Sequence, residues 1–566
     1  MAADLTNEGL WNARRQRPAH SRGYLYLAPA LLLVGFFVVS PLSNLVVASF
    51  HPGAWHSLFA DPMLADAVVN SIGLGAVEQL ISLGVGTWVA WLLARSDIPG
   101  SRWLELGFWV GLFMPPLSAT LAWLLLLGGS SGWVNRALSL LPFVHGPLFN
   151  LYSWWGIVWV HLVTSGIAFK VFLLTPLFAA LNSSLTESAR ASGARPLQVL
   201  YRVVVPAIGP ALVLAGLIGL IRSMQSFEVE LVLGQPIGVD VYSTVVYRAM
   251  TREPPLQSLA SALAIAFVAS VAPLVVMQQA YARGARAQIG GKFQFRRFPL
   301  GRWRWPAFGL IAVLLLLIAV TPGVFLALST FMRIFGLLDM AHPWTADNWA
   351  HAIADRDVLR ACWNTLRLGL SSAVLGTAVF SGLAYLSLRA RSRLAGILDF
   401  LTWLPILAPG MVLGLGLLEM FSSNPALHSL YGTIWTLVIA VLLSTMTVGT
   451  QLLRTSLAQM AAELEEAAWA SGASRRQTMR RILAPMISQS LAVVALEIFA
   501  TANGIVGVIA LLGTGPMQPL SILQLNLFTS GQLETAGVVG VVIVTLSVAS
   551  ALLARVIGVR AGLERW

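Results

Sequence analysis

Seven charged side chains fall within or beside the long apolar runs of this 566-residue chain: Glu78, Lys170, Arg222, Glu228, Arg367, Glu419 and Glu497. A charge in the hydrocarbon region is costly, so each is a functional candidate by default. Glu419 and Arg367 lie near predicted span ends, where an interfacial role suffices. Lys170 lies about ten residues from a span end and can snorkel only partly, so it must pack on another helix or meet a solute. The densest group is Arg222-Ser223-Met224-Gln225-Ser226-Phe227-Glu228. Arg222, Gln225 and Ser226 share a helix face at i, i+3 and i+4. Such a face offers non-covalent chemistry: a cation for an anionic solute, a carboxylate for a cationic one, and neutral hydrogen-bonding groups for either. A structural Arg222–Glu228 pair is the alternative.

Covalent chemistry has no support. The chain contains no H-E-x-x-H and no G-x-S-x-G. His145, His161, His342 and His351 are scattered without ligand spacing, so no metal site is expected. No G-x-x-x-x-G-K-[ST] occurs, because Gly290-Gly291-Lys292 runs into Phe293. The chain is expected to be a non-enzyme that binds no cofactor of its own.

The elements that must position these charges are membrane helices. The chain is 57% hydrophobic and 11% charged, with a mean hydropathy of +0.77, against about 25% charged in soluble domains. The net charge of +12 does not imply nucleic acid, since the basic residues occupy short loops between apolar segments. The lone Cys362 excludes an intrachain disulfide. About 20 apolar residues cross a bilayer, and twelve such spans are predicted, at roughly 24–48, 67–93, 104–127, 154–181, 207–232, 258–280, 306–331, 362–388, 398–420, 431–457, 485–512 and 535–557. Arginine clusters before span 1 and after every even-numbered span put both termini in the cytoplasm of a bacterial cell, with lipid around the bundle. The first apolar run is too long for a signal peptide and lacks an A-x-A site.

The chain is a tandem repeat. Residues 187–206 (ESARASGARPLQVLYRVVVP) and 466–485 (EAAWASGASRRQTMRRILAP) match at a constant separation of 279 residues. Ser40-Pro41 resembles Thr321-Pro322, Asn70-Ser71 resembles Asn364-Thr365, and Met114-Pro115 resembles Leu404-Pro405. Leu233-Gly234-Gln235-Pro236 resembles Leu512-Gly513-Thr514-Gly515-Pro516 with one insertion. An even number of spans per copy gives two parallel six-helix repeats, unlike the inverted repeats common in secondary carriers. The expected organisation is an N-terminus, first span and outer loop (1–66), a first membrane domain (67–280), a cytoplasmic linker (281–305), a seventh span and outer loop (306–361), a second membrane domain (362–557) and a cytoplasmic tail (558–566). In each polar loop, Gly193 or Gly472 is expected to break a short helix, and Pro206 or Pro485 suits the first turn of the next span. The aligned segment Thr501-Ala502-Asn503-Gly504 lacks the charges of 222–228, so an asymmetric pathway is expected, with Asn503 as its second-half member.

The twin loops resemble the E-A-A…G…P loop of type 1 ABC importer permeases. Copy two keeps Glu466-Ala467-Ala468; copy one has Glu187-Ser188-Ala189, and both place a serine before the glycine. The resemblance implies an all-α polytopic membrane protein whose loops dock on a cytoplasmic ATPase dimer. Glu187, Ala189, Gly193 and Pro206, with Glu466, Ala467, Ala468, Gly472 and Pro485, would carry that contact. ATP would be used by that partner, and a periplasmic or extracellular solute-binding protein would deliver cargo. Fused halves, Ser226-Phe227-Glu228-Val229 and the run Leu233-Gly234-Gln235-Pro236 with Gly238 resemble the ferric-iron branch, so iron is the expected solute. Related 2-aminoethylphosphonate and thiamine permeases keep those solutes open, and an ion-coupled secondary transporter is the alternative class.

Overall fold

The computed structural model describes residues 21–560, apart from 52, 61, 145, 180–187, 190, 287–297, 391, 462 and 514. Helices dominate, because a backbone in lipid must satisfy its hydrogen bonds within one segment. Eight helices are long and apolar enough to cross a bilayer. They are span 1 (Leu27–Ser49), span 2 (Met63–Arg95), span 4 (Trp154–Ala179), span 6 (Gln257–Gln278), span 7 (Gly301–Ser329), span 8 (Arg356–Arg389), span 10 (Ile434–Ala458) and span 12 (Leu533–Ile557). Four bent pairs complete twelve: span 3 (Ser101–Leu112 with Pro116–Leu127), span 5 (Leu200–Ala207 with Gly209–Met224), span 9 (Arg393–Leu407 with Gly410–Ser423) and span 11 (Arg476–Met486 with Ser488–Gly504).

The bends in spans 3 and 9 correct the sequence reading, which ran both unbroken, whereas those in spans 5 and 11 fall at the predicted starts of these spans. The bends occupy the third and fifth positions of both halves, with angles of 101° and 110° in spans 3 and 9 and of 71° and 77° in spans 5 and 11. Proline is the cause at each. Pro115 and Pro116 flank one elbow, Pro405 and Pro409 the other; Pro206 and Pro485 sit in the last short turn before the kinks of spans 5 and 11. A proline lacks the N–H that would continue the helix and its ring crowds the preceding turn. Spans 5 and 11 were also expected to run to 232 and 512, but the helices stop at Met224 and Gly504. The chain then turns into short buried helices, Tyr242–Thr251 and Leu520–Thr529.

Conserved order of landmarks between the halves now has a physical reason. Asn70 Nδ2 donates to Asp240 O at 3.1 Å, and the Ser71 hydroxyl accepts the N–H of Tyr242 at 3.1 Å. In the second half Asn364 Nδ2 donates to Pro516 O and Gln518 O at 2.8 and 3.2 Å, and Thr365 Oγ1 accepts the N–H of Leu520 at 2.8 Å. Each Asn–Ser/Thr pair therefore caps a short helix from a different span. The Leu-Gly-x-Pro run makes the turn that precedes this helix. Gly238 adopts φ +71°, and a side chain at Gly234 would collide with Val239 O.

The two halves are interlocked. Span 1 packs on spans 6 and 9, and span 7 on spans 3 and 12. Close approach uses small residues, as membrane helix contacts do. A Cβ on Gly107 or Gly111 would lie 2.5 Å from Leu315 or Ile318 of span 7, and one on Gly416 would lie 2.9 Å from Pro41 O of span 1. Spans 4 and 10 are the most enclosed, with 72% and 67% of their apolar windows buried, against 22% for spans 1 and 7. Outward-facing Leu32, Val47, Leu80 and Val374 supply a lipid-facing surface. Counting each bent pair as one crossing, the loops after spans 2, 4, 6, 8 and 10 share one face. Contacts agree: Phe298 N donates to Arg95 O at 2.8 Å on that face, and Arg136 pairs with Asp339 at 3.2 Å on the other.

Candidate functional site

Each twin loop is a helix, a turn and a second helix. In copy two, Glu463–Ala470 ends in a Schellman turn: Ala473 N bonds Ala468 O at 3.0 Å, Gly472 N bonds Trp469 O at 3.0 Å, and Gly472 has φ +84°. In copy one Ala194 N bonds Ala189 O at 3.1 Å and Gly193 has φ +83°. The spacing from the last Ala of the motif to Gly is thus the length of this turn, whose left-handed residue favours glycine. Ser192 and Ser471 donate their hydroxyls to the carbonyls of Ser188 and Ala467, at 3.0 and 2.9 Å. The next helix starts where Gln198 Oε1 accepts from Arg195 N at 2.9 Å, and Gln477 Oε1 from Ser474 N at 2.7 Å. A π-turn follows in both copies, Leu200–Val204 and Met479–Leu483.

Glu187 lies outside the described residues. Glu466, Ala467 and Gly472 are exposed, as are Gly193 and Ser192, while Ala468 is buried. The anchor is a residue that sequence reasoning passed over. Glu465 is buried and pairs with Arg389 Nε at 2.7 Å; the Tyr385 hydroxyl donates to its other oxygen at 2.9 Å. Arg389 Nη2 also reaches Met460 O at 3.2 Å. This clamp fastens the second loop to the end of span 8.

The buried charges meet in a cavity of about 250 Å³ lined by spans 2, 3, 4 and 5 and the turn after span 5. Its polar wall includes Glu78, Lys170, Arg222, Gln225, Ser226 and Glu228. Four of the five pathway residues named from sequence, Arg222, Gln225, Ser226 and Glu228, are thereby brought together. The fifth is not: Asn503 is fully buried, with neither amide atom bonded, behind Gly369 of span 8. No Arg222–Glu228 ion pair forms among the described residues. Arg222 instead stacks on the Phe169 ring, its guanidinium carbon 4.6 Å from the centroid. Lys170 is fully buried; its ammonium donates to Ala215 O at 2.7 Å and lies 5.2 Å from the same ring. Gly219 makes room, since a Cβ there would overlap both Lys170 Nζ and Gln79 Oε1.

A second network was not foreseen. His161 Nε2 lies 2.8 Å from Glu230 Oε1, Ser226 Oγ donates to Glu230 Oε2 at 2.5 Å, and the Ser243 hydroxyl donates to Ser226 O. His161 stood in an apolar span, which was its one signal; its partner lies 69 residues away. Arg367 stacks on Trp363 of its own helix at 4.8 Å, which fits the interfacial reading.

Two contacts locate the cavity beside the pseudo-twofold axis. Gln225 Nε2 donates to Ile406 O, at the elbow of span 9, at 3.0 Å. Its repeat counterpart Gly504 faces Pro115, at the elbow of span 3, where a Cβ would lie 3.2 Å away. The fifth span of each half thus abuts the broken third span of the other. The second-half positions aligned with the charges are uncharged, as in Thr501 for Arg222 and Gly507 for Glu228. Among the described residues no three His, Cys, Asp or Glu side chains are grouped to hold a metal.

Comparison with known proteins agrees with this architecture. Residues 374–561 match the family model described as the binding-protein-dependent transport system inner membrane component. A protein of Sinorhizobium fredii named as an ABC transporter permease is 26% identical over 503 residues, covering 86% of each chain. A Haemophilus influenzae protein named as a ferric transport system permease is 24% identical, covering 86% of this chain and 77% of its own. A 2-aminoethylphosphonate transport system permease of Salmonella typhi is 28% identical, covering 41% of this chain and 82% of its own. A solved bacterial alginate ABC transporter is similar at 20% identity and a TM-score of 0.41, covering 48% of this chain and 96% of that one. The chain is thus similar along most of its length to ABC transporter permeases, and its residues 374–561 match the inner membrane component of binding-protein-dependent transport systems.

Proposed function

We propose that this chain forms the whole membrane pathway of an ATP-driven importer. Two ATPase subunits act on its twin loops, at the cytoplasmic face that also holds both termini, and a solute-binding protein delivers cargo at the other face of a bacterial inner membrane. The observation that carries this reading is the pair of matching helix–turn–helix loops, built around Gly193 and Gly472 and exposed on one face. Exposed backbone at a Gly turn and flanking arginines suit insertion into a cleft on a soluble partner. Closure of that partner then moves the kinked spans 5 and 11 directly, because each loop continues into one of them. A ligand shifts such an equilibrium only through contacts that differ between the two states, and the loops are where the ATPases would make them.

The solute is a small molecule that enters the first-half cavity. Ferric iron is favoured by the Haemophilus relative, which spans most of the chain; with Lys170 and Arg222 on the wall, iron would need an accompanying anion. The mixed charges of the wall favour a zwitterion or anion such as 2-aminoethylphosphonate. The test is uptake into proteoliposomes that contain this chain with its ATPase and solute-binding protein. ATP-dependent accumulation is expected, and none with the chain alone. Uphill uptake by the chain alone would establish an ion-coupled carrier instead.

A further inference from the structure

The charges of the cavity are not evenly satisfied. His161, Glu230 and Ser226 bond one another and need nothing further. Lys170 and Arg222 differ. They converge on one aromatic ring, Phe169, at 5.2 and 4.6 Å, and are near enough to repel each other, though the Glu78 carboxylate acts on both from a distance. Among the described residues neither lies within ion-pair distance of a carboxylate; Lys170 has one hydrogen bond, to a neutral carbonyl. Close by, Gln79 Oε1 and Thr164 Oγ1 are buried without partners. Two converging cations inside a bundle of membrane helices, opposed only at a distance by Glu78 of the same wall and, for Arg222, by Glu497, cost the fold free energy that a bound anion would offset. The second half, built on the same frame, carries neither charge.

We propose that this cavity binds the oxyanion head of a small solute, a phosphonate, phosphate or sulfate group, between Arg222 and Lys170. A guanidinium offers a planar fork of donors that fits tetrahedral oxyanions, and an ammonium supplies a compact second charge. The cavity, about 250 Å³, lies below the range of roughly 300–1,000 Å³ for drug-sized ligands and suits a solute of few heavy atoms. Glu78 and Glu228, on the same wall, would receive an amine at the solute's other end. The inference rests on the cavity being part of the import pathway and specifies the chemistry it accepts.

The experiment is equilibrium binding of radiolabelled 2-aminoethylphosphonate to the full chain in nanodiscs, without ATPase. Competition by inorganic phosphate or sulfate, and none by ethanolamine, is expected. R222Q should weaken binding tenfold or more, and R222K, which keeps the charge and loses the fork, several-fold. Should R222Q fail to fold, R222K carries the comparison. Absence of binding to the unmodified chain at millimolar probe, competition by ethanolamine alone, or unchanged affinity in the Arg222 variants overturns the proposal. ATP-dependent uptake of a solute without an oxyanion would sink this inference and leave the importer reading intact; uphill uptake without ATPase would do the reverse.

Discussion

Replacing Glu465 by glutamine tests whether the second loop is a lever fastened to span 8 or a loop that merely follows span 10. The Glu465 side chain is 4% exposed and that of Arg389 22%. Glutamine keeps the shape, turns the charge-assisted bond from Tyr385 into a neutral one and removes the ion pair with Arg389. Charge-assisted bonds contribute about 1.5–3 kcal/mol and neutral ones about 0.5–1.5 kcal/mol, so the exchange costs roughly 1–2 kcal/mol. Arg389 is then left half-enclosed without its counter-charge, which adds about 1 kcal/mol, less than for a fully buried pair because water reaches it. The total, about 2–3 kcal/mol, falls on local opening of the loop, not on the whole bundle. Hydrogen exchange across 463–473 should accelerate roughly 30- to 150-fold, with spans 8 and 10 unchanged along their length. Tyr385→Phe removes a hydrogen bond to the charged Glu465 carboxylate, at least about 1.5 kcal/mol, and should give roughly tenfold or more. The two effects belong to one network, so the double variant should fall short of their sum. Glu466→Gln, on the exposed side, should speed exchange less than E465Q and lower solute-stimulated ATP hydrolysis by the reconstituted complex. If E465Q exchanges at the unmodified rate, or E466Q loosens the loop as much, the clamp is misassigned.

Other outcomes follow from the same geometry. Gly472→Val, with a β-branched residue at φ +84°, should cost about 1–2 kcal/mol at the turn; the protein should insert normally and the complex with its ATPases should hydrolyse ATP without transport, and Gly193→Pro should do likewise. Asn364→Leu strips the carbonyls of Pro516 and Gln518 of their donor; at about 1–3 kcal/mol for a buried group left unsatisfied, its thermal midpoint in detergent should drop by several degrees, with Asn70→Leu a milder parallel. Gly219→Ala puts a methyl group into Lys170 and Gln79; the neighbours of this packed site must move, so a stability loss of about 1–3 kcal/mol and loss of uptake are expected in melting and transport assays.

The amino-acid sequence by itself determined the class, the repeat and the twin loops. These depend on local chemistry: apolar length decides what crosses a bilayer, and Gly193 and Gly472 decide where a short helix must reverse. The same local logic placed Arg222, Gln225, Ser226 and Glu228 on one wall, because they are close in sequence. Only the tertiary structure decided what lies opposite them. Lys170 and Phe169 reach Arg222 from span 4, and His161 finds Glu230 from 69 residues away. Asn503, aligned with the charged stretch by sequence, rotates behind Gly369 instead. Glu465 rather than its neighbour carries the clamp, since one residue along a helix turns a side chain by about 100° from the buried face to solvent. Whether a polar group in a membrane helix meets lipid, a neighbour or a cavity depends on helix rotation and crossing. Packing against distant segments sets both, and no local pattern records it.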